Sequence, residues 1–376
     1  MRLSRIPRPG PSQDEADPVP GEELLSIEGL KVAFDDGSRR TQALRGVDLN
    51  LHAGEIHGVA GESGSGKTTV ALTTMGLLPR GTHVEGSVRY RGTELLNISE
   101  RQLRRFRGRR VAMIFQETST ALNPVMTAGH QLMMAARTHL PGTRAEARDR
   151  VRAALRDVRL RDTERVMSSY PHELSGGMCQ RIMIAMALSC GSRVLLADEP
   201  TTALDVSVQA EVLDLVKGLV ASRHLGVLMI SHDLAVLAQV ADNITVMYQG
   251  EVVESGPGDV VLRQPAHPYT VGLLSCLPRL HGRRGDLPEL PPVGEVTEGG
   301  CQYQPRCALA SLECRQAPNL ASVADGGDRL ARCWKSTSVL AASKRGSGGL
   351  PRVPPATRAT EPSLNGAVSL ENESNP

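Results

Sequence analysis

Two stretches near the start of the chain, Leu25 to Phe34 and Gln42 to Leu51, read as strands. In the second, Val47, Leu49 and Leu51 are apolar and Asp48 and Asn50 between them are polar, as a half-buried strand requires. Glu55 to Ala60 reads as a third strand and Thr69 to Leu78 as an apolar helix. Gly86 to Tyr90 is a further short strand, and Ser99-Glu100-Arg101-Gln102 has the form of a capping box that starts a helix. Val111 to Phe115 is a buried-type strand ending at Gln116. A helical stretch follows from about Thr127 to Tyr170; its clearest part puts Ala147, Val151, Ala154, Leu155 and Val158 at helical spacing. Beyond Ser175 helix and strand alternate: helix to Leu188, strand Arg193 to Ala197, helix Val206 to Ser222, strand Gly226 to Ile230, helix Asp233 to Val240, strand Asn243 to Tyr248. Such alternation predicts a parallel sheet covered by helices. The expected fold class is therefore α/β: a parallel-sheet core, an antiparallel β layer from the early strands, and a helical subdomain at about 117–175.

Composition marks the boundaries. Residues 1–21 are rich in proline and charge and are expected to be disordered. The main domain runs over 22–262. A Pro- and Gly-rich extension, small and irregular, covers 263–336 and holds four cysteines. Residues 337–376 lack periodicity and are expected to be a disordered tail. Net charge is +2, so no global field draws the chain to nucleic acid or to a membrane surface. Only 2% of residues are aromatic, which argues against a stacking platform for single strands. The uncharged run Ile182 to Cys190 is too short to span a bilayer. Met1 to Pro20 has no apolar core of a secretory signal, so the expected compartment is the cytoplasm, with the seven cysteines reduced or metal-bound. Six arginines between Arg101 and Arg110 could meet lipid headgroups or nucleic acid; a solvated face explains them more simply.

The chemistry centres on Gly61-Glu62-Ser63-Gly64-Ser65-Gly66-Lys67-Thr68-Thr69, which reads G-x-x-x-x-G-K-[ST]. Its three glycines allow backbone angles that let successive N–H groups converge on one anion. Lys67 adds positive charge near the β- and γ-phosphates, the Thr68 hydroxyl can ligate Mg²⁺, and the following helix points its positive end at the same phosphates. The strand Val194 to Ala197 delivers Asp198 and Glu199. The first acid can hold Mg²⁺ opposite Thr68; the second can polarise a water aimed at the γ-phosphate. Leu174-Ser175-Gly176-Gly177-Met178 is a second Gly-rich helix start able to face phosphate. Seen alone it reads first as a helix cap with a tight turn. One nucleotide does not need two such cradles from one chain, so the second is expected to serve a nucleotide held by another subunit.

In this order the motifs resemble the nucleotide-binding subunit of an ABC transporter, over residues 24 to about 262. The resemblance implies a P-loop ABC ATPase domain using ATP and Mg²⁺. It makes Gln116 the Q-loop glutamine, joining Thr68 and Asp198 at the metal and linking it to a membrane partner. It makes Glu199 the general base and His232, in Ile230-Ser231-His232-Asp233, the residue that reads the γ-phosphate. Thr202-Ala203-Leu204-Asp205 resembles the D-loop, and Phe34 stands where the family stacks an aromatic on adenine. Ser175, Gly176 and Gly177 would contact the ATP of the opposite subunit. Met178 replaces the family's usual glutamine, and Leu-Ser-Gly-Gly-Met followed by Gln180-Arg181 resembles the oligopeptide, dipeptide and nickel importers. Gln264 to Thr270 and Gly300 to Cys307 resemble the start and the cysteine segment of that subfamily's extension.

The spacing of Cys301, Cys307, Cys314 and Cys333 does not match common zinc fingers. Four thiolates could still close a zinc site or a [4Fe–4S] cluster, and the subfamily resemblance favours the cluster. Cys179, Cys190 and Cys276 read as core or surface thiols. The implied assembly is peripheral, on the cytoplasmic face of the membrane. It pairs this chain with a second ABC ATPase (a heterodimer, with a homodimer open), two membrane-spanning permease subunits and an extracellular solute-binding protein, without nucleic acid. Rival readings are an exporter ATPase or a soluble ABC ATPase on ribosomes or nucleic acid. Ser168 to Glu173 lacks the pattern of many exporters, and the chain carries a single phosphate loop.

Overall fold

The structure is a computed structural model; it describes residues 17–35, 37, 40–116, 121–202, 204–276, 296–323 and 327–344. The chain opens with β1 (Glu23–Asp35), β2 (Arg40–His52), β3 (Ile56–Ala60), α1 (Lys67–Thr74), β4 (His83–Tyr90), β5 (Thr93–Glu94), α2 (Glu100–Phe106) and β6 (Val111–Ile114). Helices α3 (Ala128–His139), α4 (Arg144–Asp157), α5 (Thr163–Ser168) and α6 (Gly176–Ser189) follow. Then come β7 (Val194–Asp198), α7 (Val206–Arg223), β8 (Gly226–Ser231), α8 (Leu234–Val240), β9 (Asn243–Tyr248), β10 (Glu251–Pro257), α9 (Gly258–Arg263) and α10 (Pro268–Ser275). The extension adds β11 (Ala321–Ser322), β12 (Leu330–Ala331) and α11 (Ser336–Lys344).

Two sheets result, ordered β2-β1-β4-β5 and β11-β12-β10-β9-β3-β8-β7-β6. The first is antiparallel, and its alternating positions supply Leu25, Ile27, Val47, Leu49 and Leu51 to a core shared with α1. In the second, β9, β3, β8, β7 and β6 run parallel. Every residue of β3, β7 and β8 is buried, because both faces of a parallel sheet are covered. Parallel strands bring their carboxyl ends to one edge, so the segments after β3, β7 and β8 meet there.

The expected helical stretch from 127 to 170 is three helices. Pro141 and Gly142 (φ 138°) end the first, and Arg159 (φ 62°) breaks the chain after the second. Capping boxes at Ser99 and Thr143 are formed as their sequences imply. Helix α1 stops at Thr74 rather than Leu78, because Gly76 turns the chain at φ 59°. Of the six arginines, Arg107 is structural: it donates to the Met75 and Gly76 carbonyls and pairs with Glu100.

Strand β10 was not expected. It closes a two-residue hairpin with β9 through Gln249 (φ 47°) and Gly250 (φ 81°), the left-handed pair such a turn demands. The extension is less irregular than its composition suggests, since β12 pairs with β10 and so lengthens the main sheet. Disorder from 337 is also corrected. Helix α11 occupies Ser336–Lys344, and Leu340 packs with Ala266, Val323 and Ala331; its apolar residues are one unbroken run, Val339 to Ala342, which shows no period. At the other end, Gly21 N–H donates to the Ala53 carbonyl at 2.9 Å, so order begins before residue 22. Residues 1–16 and 345–376 lie outside the described residues.

Candidate functional site

The loop from Gly61 to Gly66 joins β3 to α1 and is shaped by its neighbours. At Gly61 (φ 152°) a Cβ would stand 2.3 Å from the Met247 carbonyl oxygen; at Gly66 (φ 101°) it would stand 2.7 Å from a Leu44 methyl. Only glycine fits at either place. Gly250 N–H of the hairpin donates to the Ser65 carbonyl at 3.1 Å. Ser63 and Gly64 form the exposed tip. Lys67 is buried and folds back onto the loop, donating to the carbonyls of Gly61 (2.7 Å) and Glu62 (2.8 Å). Burial pushes its pKa down, against the opposing charges of Glu199, Asp198 and Glu62. The ammonium is thus held among acids in the space the loop encloses. Thr69 lies in the first turn of α1, its carbonyl accepting from the Thr73 hydroxyl.

Asp198 ends β7, is 4% exposed, and carries a buried Oδ1 without a hydrogen-bond partner. Burial raises its pKa, while the Thr68 hydroxyl bonded to the carboxylate opposes that. A carboxylate oxygen left bare beside a threonine hydroxyl is a donor set suited to a hard cation. Glu199 follows in a left-handed conformation (φ 47°), held by its N–H donating to the Ile230 carbonyl at 2.9 Å. Its carboxylate gathers three groups. His232 Nδ1 lies 2.8 Å from Oε1, Gln116 Nε2 donates to Oε2 at 2.9 Å, and the Thr202 hydroxyl donates to Oε2 at 3.1 Å. Gln116 therefore touches Glu199 rather than the Asp198–Thr68 pair with which it was expected to hold a metal. The end of a buried strand points to Glu199, whereas His232 and Gln116 come from the family resemblance. Thr202 enters the sequence reading only as part of a motif, and its hydrogen bond to Glu199 had no signal. Asp205 caps α7, accepting from Ser207 and Val208 N–H; Ala203 lies outside the described residues.

The second Gly-rich element starts α6. Ser175 caps it, its hydroxyl accepting from Met178 N–H at 3.3 Å. Ser175 and Gly176 are exposed, whereas Gly177 is buried, where a Cβ would stand 2.4 Å from a Val208 methyl. Among the described residues no hydrogen bond joins this element to the phosphate loop. Phe34 is half-buried at the end of β1, paired with Thr41, and packs on the antiparallel core. Two residues from the extension reach the loop without any signal in sequence spacing. Tyr269 OH accepts from Glu62 N–H at 2.9 Å, and Arg306 pairs with the Glu62 carboxylate.

Cys301, Cys307, Cys314 and Cys333 border one cavity of about 20 Å³, together with His267, Tyr303 and Trp334. That is room for about one water. Burial raises the Cys301 and Cys307 thiols and pushes Cys333 to about 11. No group of three or more His, Cys, Asp or Glu able to hold a metal is present among the described residues. The four cysteines are gathered as expected, but not as a closed thiolate set, and the [4Fe–4S] cluster finds no support in this geometry. Cys179 and Cys190 are core residues and Cys276 is half-buried.

Comparison with known proteins agrees with this geometry. A family profile described as "ABC transporter" matches residues 44–202, and one described as "Oligopeptide/dipeptide transporter, C-terminal region" matches 253–314. The chain is 45% identical over 316 residues to the probable D,D-dipeptide transport ATP-binding protein DdpD of Escherichia coli, covering 83% of this chain and 96% of that one. It is 41% identical over 326 residues to the oligopeptide transport ATP-binding protein OppD of Salmonella typhimurium, covering 86% and 97%. Among solved structures it resembles the dimeric bacterial ABC transporter cassette MJ0796. That match has 27% identity and a TM-score of 0.55, over 62% of this chain and 98% of the other. No helix among the described residues is long and apolar enough to cross a membrane. The chain belongs to the ATP-binding subunits of ABC importers, in the oligopeptide and dipeptide branch, and is an ATPase of that kind.

Proposed function

We propose that this chain binds ATP on the loop Gly61–Thr69, with Phe34 against the adenine, and hydrolyses it to drive uptake of peptides through separate membrane subunits. The observation that carries the reading is the convergence of His232, Gln116 and Thr202 on Glu199, at the sheet edge where Lys67 and Asp198 also lie. Thr68 and Asp198 would hold Mg²⁺, whose contribution is to neutralise charge on the phosphates. Glu199 takes a proton from the attacking water at its carboxylate. His232 and Gln116 orient that carboxylate and, by sharing its charge, tie it to whatever occupies the γ-phosphate position. Lys67 exchanges its loop carbonyls for phosphate oxygens.

The exposed Ser175 and Gly176 face a second subunit's nucleotide, so the chain works in a pair, with a similar but non-identical ATPase as the favoured partner. The pair sits on the cytoplasmic side of two permease subunits, fed by an extracellular binding protein. Reconstitution of the chain with its permeases and binding protein in vesicles tests this. ATP-dependent accumulation of a labelled dipeptide is expected; ATP hydrolysis without uptake of any di- or oligopeptide would remove the peptide assignment.

Only the family resemblance suggests a [4Fe–4S] cluster in the extension, and the cavity of about 20 Å³ between the four thiols does not fit one. No step above uses it. Iron and acid-labile sulfide are measured after anaerobic purification, and a colourless, iron-free sample excludes it.

A further inference from the structure

We infer that Arg306 is a positioning residue for ATP: it holds the phosphate loop's own carboxylate, Glu62, away from the nucleotide's charge and makes the C-terminal extension part of the ATP site. The inference rests on the reading of Gly61–Thr69 as the phosphate cradle. Glu62 puts a negative side chain inside a loop whose task is to gather an anion, and like charges at short range disfavour each other. The structure answers with a guanidinium delivered across 244 positions of sequence. Arg306 Nη1 donates to Glu62 Oε2 at 2.8 Å and Nη2 to Oε1 at 3.0 Å, the bidentate geometry that fixes a carboxylate in plane and direction.

The Arg306 side chain is 5% exposed, and its guanidinium lies 5.7 Å from the centre of the Tyr248 ring. Tyr248, Tyr269 and Tyr303 pack on one another with ring centres 4.7–5.3 Å apart and form the floor beneath it. From the same floor, Tyr269 OH accepts the Glu62 N–H at 2.9 Å. Glu62 is therefore held through its backbone N–H and its carboxylate by the extension, and through its carbonyl by Lys67. Arg306 touches none of Glu199, His232 or Gln116 among the described residues. Its loss should act on nucleotide affinity and leave the chemical step alone.

The test measures ATP affinity and steady-state kinetics on the full chain. Arg306→Ala is expected to raise both Kd and KM for ATP by about tenfold, with kcat changed less than about twofold. Arg306→Lys keeps a point charge but not the fork and should raise KM by about threefold. Adding Glu62→Gln to Arg306→Ala should restore most of the affinity, because the uncompensated carboxylate is gone; a brace of purely structural value would not be relieved this way. Should Arg306→Ala fail to fold, the double variant and Arg306→Lys carry the same readout. Unchanged KM in Arg306→Lys, or no relief in the double variant, overturns the inference. Lys67→Ala serves as the control. If it too leaves affinity unchanged, the phosphate-cradle reading has failed; if it weakens binding while Arg306 variants do not, only the role of Arg306 has.

Discussion

At the scale of single residues, Glu199 is where most of the chemistry meets. Its strained backbone (φ 47°) is held by the bond to Ile230, and three side chains share its carboxylate. Glu199→Gln preserves the shape, and its amide oxygen can still accept from Gln116 and Thr202, while the base is removed. ATP binding should persist, and kcat should fall by about 100-fold or more, the size of a lost general base. Equilibrium binding alongside phosphate release checks both halves, and near-normal turnover removes Glu199 from this role. Gly61 offers a second test. An alanine there would push its Cβ against the Met247 carbonyl, a backbone atom that cannot swing aside. Gly61→Ala should lose ATP binding and destabilise the fold by about 1–3 kcal/mol, read by calorimetry.

At the scale of elements, the far end of the parallel sheet is tied by one acid. Glu55 accepts from His52 N–H (2.8 Å) and Asn243 Nδ2 (2.8 Å) and meets His57 Nδ1 at 3.1 Å, joining the ends of β2, β3 and β9. Burial alone would raise its pKa, but the hydrogen bonds and charge of His57, with Asn243 and His52, bring it from 4.5 to about 2. A carboxyl whose pKa falls on folding contributes stability above its unfolded value. That stability is lost as pH drops from about 4.5 towards 2. Glu55→Gln should lower stability at pH 7 by on the order of 3 kcal/mol and flatten the acid limb of a Tm–pH curve.

The elements also show what the sequence made legible. Fully buried strands such as Val194–Asp198 announce themselves as apolar runs, so Asp198 and Glu199 could be placed at a strand end, while His232 needed the family resemblance. Strand β10 hid because the fully buried Glu254 interrupts its apolar pattern; that acid accepts from Ala266 and His267 N–H in the folded chain alone. The Arg306–Glu62 pair left no trace because nothing local links positions 244 residues apart.

At the scale of the whole molecule, the decisive feature is a mismatch within one chain. The loop Gly61–Thr69 encloses Lys67, whereas Ser175 and Gly176 stand exposed at the start of α6 with no hydrogen bond to that loop among the described residues. On the proposed reading a nucleotide touching both elements bridges two subunits, and it then favours the closed pair only by contacting both. Ser175→Arg separates the two halves. On the isolated chain it should leave ATP affinity close to the parent value, since the chain's own loop is intact. In a Glu199→Gln background, where ATP persists, it should abolish the ATP-dependent rise in mass seen when this chain is mixed with its partner ATPase, or with itself if the pair is a homodimer. Light scattering with and without Mg-ATP reads the mass against the 40.3 kDa of the single chain. If Ser175→Arg instead weakened ATP binding by the lone chain, both elements would serve one nucleotide in the same subunit, and the pairing would have to be rebuilt on another surface.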